Sequence, residues 1–136
     1  MCGIVGYVGR ERCVEVLMEG LRHLEYRGYD SAGLALQGEG GIERIREVGR
    51  LENLERAVAG RNGDLSRARA GVGHTRWATH GRPSEANSHP HIGGEGLVAV
   101  VHNGIIENFS ALKEELVGRG VAFRSETDTE VMAHLL

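Results

Sequence analysis

Cys2 stands one residue from the amino terminus of the translated chain, in the run Met1-Cys2-Gly3-Ile4-Val5-Gly6. If Met1 is removed, which a small neighbour such as Cys2 permits, one residue carries both a thiol and a free α-amine. The thiolate is the nucleophilic form, and an ordinary thiol, with a pKa of about 8.5, is mostly protonated at pH 7. A terminal amine titrates at about 7.7–8.0 and can take that proton. Threonine is activated by its own terminal amine in this way, and the chemistry works equally well for a thiol. Nucleophile and base then need no second segment to bring them together. The competing reading is a terminal cysteine buried as a small hydrophobe. Cys13, set among helix-spaced apolar residues, is read that way. His80, His89 and His91 offer a different chemistry, since imidazole is a common zinc ligand. No cysteine pair or Asp-rich set accompanies them, and their spacing fits no zinc pattern, so a metal site is not expected.

At 136 residues the chain is one domain or part of one, long enough to bury roughly two thirds of its unfolded surface. A net charge of −3 and a pI near 6.2 leave no nucleic-acid footprint and no basic membrane patch. No apolar run approaches the ~18 residues of a spanning helix, and no basic-then-apolar leader opens the chain. The expectation is a cytoplasmic protein without membrane or nucleic-acid partners, its two cysteines, Cys2 and Cys13, reduced. Glycine is frequent, 21 residues against 2 prolines. The glycines fall at the ends of periodic segments, as turns and caps require.

The elements that must position these groups follow from hydrophobic periodicity. Residues 3 to 8 read as a short apolar strand. Val14, Leu17, Met18, Leu21 and Leu24 carry helical spacing over 11 to 26, with Gly28 as the stop. Ala32 to Gln37 and Ile42 to Val48 read as strands joined by the turn 38–41. Leu51, Leu54 and Val58 mark a short surface helix, and Gly71 to Trp77 a strand. A polar stretch follows from Thr79 to Gly96. Leu97 to Val101 reads as a strand buried on both faces. Phe109, Leu112, Leu116 and Val117 mark a helix ended by Gly118 or Gly120. Thr127-Asp128-Thr129-Glu130 matches a capping box before Val131, Met132 and Leu135. Helices alternating with strands, some in hairpins, give a layered α+β architecture.

Four segments stand out together: Cys2-Gly3-Ile4-Val5-Gly6, Leu24 to Gly33, His74 to Gly81, and His102 to Asn108. In this order they resemble the glutaminase half of the glucosamine-6-phosphate synthases, the glutamine:fructose-6-phosphate amidotransferases. The resemblance runs essentially along the whole chain, through Ser125 to Glu130. The Cys-Gly-Ile start alone fits any class II glutamine amidotransferase with an N-terminal cysteine. The Tyr26–Gly33 and His74–Gly81 segments are narrower and resemble the sugar-phosphate enzymes. The resemblance implies the four-layer αββα fold of the N-terminal nucleophile hydrolases.

It also implies roles for residues. Cys2 resembles the nucleophile that hydrolyses the glutamine amide, with its own amine as proton shuttle. Asn103 and Gly104 match the oxyanion hole, one side-chain amide and one backbone N–H, donors typically worth ~3–4 kcal/mol each. An Asn-Gly after an apolar strand is also a hairpin turn, and both can hold. Arg76 resembles the clamp on the substrate α-carboxylate, for which a guanidinium fork is suited. Asp128 matches the residue that receives the α-ammonium, although an acidic residue in a first helical turn also offsets the helix dipole. Trp77, Thr79 and His80 match the loop that closes over glutamine. Arg27 lies in a segment supporting the nucleophile's surroundings. No cofactor and no metal are implied.

The chain stops inside a helical pattern at His134-Leu135-Leu136. The expectation is therefore that residues 1–136 are the N-terminal part of a glutaminase domain, incomplete at the C-terminus. The resemblance implies a sugar isomerase part, absent here, that would bring fructose-6-phosphate, and a homodimer as the full-length protein. Alone, the 136 residues are expected to hydrolyse glutamine poorly. The competing functions are a metal-dependent amidohydrolase built on the histidines and an inactive fragment of the synthase.

Overall fold

The apolar start of the chain forms β1 (Gly3–Val8), and the helical stripe behind it forms α1 (Cys13–Leu24), followed by a single 3₁₀ turn at Glu25–Arg27. The computed structural model describes residues 1–27, 30–61, 65–78 and 82–136. Gly28, the expected helix stop, lies outside them. β2 (Ser31–Gly38) and β3 (Gly41–Val48) pair as the expected hairpin, α2 spans Leu51–Ala59, and β4 spans Ala70–Arg76. These strands make one antiparallel sheet in the order β1-β4-β2-β3, with Gly3 opposite Thr75 and Ser31 opposite Arg76.

Strand alternation sends successive side chains to opposite faces. On one face Leu34, Leu36 and Ile45 meet Leu17, Met18 and Leu21 of α1 and Leu51 and Leu54 of α2. Each such leucine contributes about 1.5–3 kcal/mol by leaving water. α2, expected on the surface, thus anchors in this core. The other face carries His74 and Arg76 and is overlaid by β5 (His91–Gly93) and β6 (Val98–Val100), an antiparallel pair. α4 (Thr129–Leu135) packs on the far side of that pair, next to α3 (Phe109–Gly118). The layers run helix, sheet, sheet, helix, the αββα order that the resemblance implies. Two glycines permit the close layering: a Cβ at Gly33 would collide with the carbonyl of His89, and one at Gly93 with the carbonyl of Ala133 on α4. Among the described residues no helix is long and apolar enough to cross a membrane.

Three expectations are corrected. The polar stretch 79–96 contains strand β5 and buries Asn87, Ser88, His89 and His91. The run Leu97–Val101 is not buried on both faces: Leu97 is 78% exposed and, within β6, Val100 alone is buried. Apolarity marks a strand but not how many layers cover it, and β6 pairs with β5 only. The capping box does not form. Asp128 holds helical backbone angles without a side-chain cap bond, and Thr127 and Glu130 turn to other partners. Glu130 takes amide donors of the preceding turn and Thr127 the ring of His91 on β5, partners that a local motif does not reveal.

Candidate active site

Antiparallel pairing of β1 with β4 places Cys2, just before β1, beside Arg76 and Trp77 at the end of β4. Cys2 is half-buried. The backbone N–H of Trp77 donates to its Sγ at 3.2 Å, and the Trp77 carbonyl lies 3.5 Å from the same sulfur. From the other side of β4, Asp30 donates its N–H to the Arg76 carbonyl at 3.1 Å, and its carboxylate accepts the N–H of Ala78 and, at 3.0 Å, the hydroxyl of Ser31. The exit of β4 is therefore held from both neighbouring strands.

A cleft of about 480 Å³ opens there, and its walls include Cys2, Arg27, Arg76, Trp77, Asn103, Gly104 and Asp128. Every expected site residue within the described residues lines it. Thr79 and His80 lie outside the described residues. Arg76 and Asp128 are both buried. A guanidinium and a carboxylate on the walls of one cleft complement the two charges of a free amino acid. Asp128 Oδ2 accepts the N–H of Ile106 at 2.7 Å, tying the start of α4 to the segment after Asn103-Gly104. That segment runs on into α3 rather than into a returning strand, so Asn103-Gly104 closes no hairpin. The Arg27 carbonyl accepts the Met1 ammonium, while its buried Nε finds no partner among the described residues.

Asn103 is exposed, but its carboxamide is oriented from behind. His74 Nε2 lies 2.7 Å from Asn103 Oδ1. Burial, offset only in part by this hydrogen bond, pushes His74 down to about 4, so the ring is neutral at neutral pH. Its N–H placed on Nε2 donates to Oδ1 and leaves the two Nδ2 hydrogens of Asn103 free to face the cleft. His89 stacks on His74 with centroids 4.3 Å apart, and His91 meets His89 edge-on at 4.8 Å. Burial, with the neighbouring His74 and His91, drives His89 far below its ordinary value, and burial takes His91 to about 4. His89 Nδ1 accepts the N–H of His102 at 3.4 Å, and His91 Nε2 lies 2.7 Å from the Thr127 hydroxyl. His89 and His91 thus pack and hydrogen-bond inside the fold, and His80 lies outside the described residues. Among the described residues no group of three or more His, Cys, Asp or Glu is placed to hold a metal ion.

Sequence reasoning passed over His74 and Asp30. His74 was legible: it precedes Arg76 by two residues on one strand and must share its face. Asp30 gave no such signal, because the partners that tie it to the site, Arg76 and Ala78, are 46 and 48 residues away.

Residues 41–136 match the family model described as the glutamine amidotransferase domain. Over all of this chain, the isomerizing glutamine–fructose-6-phosphate aminotransferase of Streptomyces coelicolor is 57% identical, that of Zymomonas mobilis 58% and that of Aquifex aeolicus 54%. The chain spans 22% of the length of each of these relatives. Among solved structures, glutamine phosphoribosylpyrophosphate amidotransferase from Bacillus subtilis, complexed with ADP and GMP, superposes with a TM-score of 0.76 at 28% identity. That similarity covers 99% of this chain and 29% of the other.

Proposed function

The chain belongs to the glutamine amidotransferase domain family, and on that premise we propose that it hydrolyses the side-chain amide of glutamine with Cys2 as nucleophile. The observation carrying this reading is the convergence of Cys2, Arg76, Asn103, Gly104 and Asp128 on one cleft. In the proposed reaction, Arg76 takes the α-carboxylate of glutamine and Asp128 its α-ammonium. Cys2 Sγ attacks the side-chain carbonyl carbon, and the charge gathering on its oxygen is met by Asn103 Nδ2 and the Gly104 N–H. Oxyanion donors of this kind act only where charge develops, which is why they lower the barrier. The α-amine of Cys2, freed when Met1 is removed, accepts the thiol proton and delivers it to the leaving nitrogen, so ammonia departs and a thioester remains. Water then attacks the thioester and glutamate is released. Trp77, with Thr79 and His80, closes over the substrate, and Arg27 supports the nucleophile's surroundings.

In this reading residues 1–136 are the N-terminal part of a glutaminase domain. Its ammonia is used on fructose-6-phosphate by a sugar isomerase part outside these residues, in a cytoplasmic homodimer. The names of the relatives support the fructose-6-phosphate part of this assignment. The family match favours neither the metal-dependent amidohydrolase nor the inactive fragment. The test joins intact-mass measurement with a glutaminase assay on the protein as its gene encodes it. Loss of Met1 together with glutamate release that stops on thiol alkylation and ignores chelators is expected. Hydrolysis abolished by chelation, or undiminished with Cys2 alkylated, would overturn it.

A further inference from the structure

Glu130 lies in the first turn of α4 and is only 4% exposed, yet nothing in the proposed reaction uses it. Its carboxylate accepts four hydrogen bonds: from the N–H of Arg124 at 2.8 Å, the N–H of Ser125 at 2.7 Å, the hydroxyl of Ser125 at 2.5 Å, and His134 Nε2 at 3.3 Å. Burial alone would raise its pKa, but the bonds from Ser125 and Arg124 more than offset that and hold it below the ordinary carboxylate value. An ionised carboxylate only accepts, so the protons around it must point inward. Ser125 Oγ–H donates to Glu130, the Thr127 hydroxyl 3.0 Å away donates to Ser125 Oγ, and His91 Nε2–H at 2.7 Å donates to Thr127. The result is a one-way chain from β5 to α4.

The segment so held, 124–127, has no regular secondary structure, and it delivers Asp128 to the cleft. Burying a carboxylate is costly, and a buried apolar residue would serve the packing of α4 with less expense. What Glu130 adds is geometry: it fixes two backbone amides just upstream of Asp128, whose own carboxylate holds Ile106. We propose that Glu130 is a positioning residue for glutamine recognition, setting through the 124–127 segment where the Asp128 carboxylate meets the substrate ammonium. This rests on the glutaminase reading above.

The experiment compares Glu130→Ala and Glu130→Gln with the parent in the protein as its gene encodes it. The readouts are steady-state glutaminase kinetics, thermal melts, and Cys2 labelling by iodoacetamide and by the glutamine-shaped electrophile 6-diazo-5-oxo-norleucine. Glu130→Ala should raise KM for glutamine about tenfold or more with kcat reduced less than about threefold, since misplacing a binding group weakens ground-state recognition. Labelling by the glutamine-shaped reagent should slow in parallel, while iodoacetamide, which needs only the thiol, labels at the parent rate. Glu130→Gln keeps the shape and one acceptor oxygen and should fall between the two. An unchanged KM in both variants, or activity lost only in proportion to the unfolded fraction, would overturn the proposal. A parent that neither hydrolyses glutamine nor is labelled at Cys2 overturns the glutaminase reading first, and this proposal with it.

Discussion

Asp128 Oδ2 accepts the backbone N–H of Ile106 at 2.7 Å, joining the first turn of α4 to the loop that carries Asn103 and Gly104. In the proposed reaction one carboxylate then serves two ends, the substrate ammonium and the loop of the oxyanion donors. Asp128→Asn keeps an acceptor for Ile106 but loses the charge. It should raise KM for glutamine about tenfold or more and leave kcat within about threefold. Asp128→Ala leaves the Ile106 N–H unpaired and should lower kcat as well, with ~1–3 kcal/mol lost from stability. Kinetics beside thermal melts decide. If Asp128 only supports the helix start, Asp128→Asn costs ~0.3–1 kcal/mol and the kinetics stay put.

His74 holds the Asn103 carboxamide, the proposed oxyanion donor, through its Oδ1. His74→Ala releases the carboxamide, so kcat should drop roughly tenfold with KM within about twofold. His74→Gln can donate to Asn103 Oδ1 and should recover part of the loss. Equal kcat values for all three proteins would rule this out.

Cys2→Ala should abolish glutamine hydrolysis, and any synthesis from free ammonia by a protein carrying the proposed sugar isomerase part should survive. Cys2→Ser should fail nearly as badly, because an alcohol is far harder to deprotonate than a thiol. Parent-like glutamate release from Cys2→Ala would end the nucleophile assignment.

Acid should destabilise this protein through its buried histidines before its carboxylates. Burial holds His74 and His91 at about 4 and His89 lower still, against an ordinary 6.5. The unfolded chain therefore takes up protons first as pH falls. Stability should be full above about pH 6.5 and decline between about 6.5 and 4, at about 1.4 kcal/mol per pH unit for each ring. Glu130, held below the ordinary carboxylate value by its hydrogen-bond donors, keeps its contribution until the pH reaches that ordinary value and loses it as the pH falls further. Urea titrations at pH 7.5, 6 and 5 measure the slope. A flat profile would mean that the rings are not buried as neutral groups.

The sequence by itself determined most of the elements, β5 within the polar stretch excepted, and the candidate residues of the site apart from His74 and Asp30. Period-3.6 spacing marked α1, period-2 runs and turn glycines marked the β2–β3 hairpin, and position alone singled out Cys2 beside a potential free amine. The resemblance those motifs carry named Arg76, Asn103, Gly104 and Asp128 as candidates. Tertiary structure decided what those groups touch. Nothing local predicts that His74 orients Asn103, that Asp30 holds Ala78, or that Glu130 leaves its expected cap for the amides of Arg124 and Ser125. Periodicity records which face a residue shares with its neighbours in sequence. A hydrogen bond across 29 or 48 residues exists only once strand register and layer packing have closed the chain on itself.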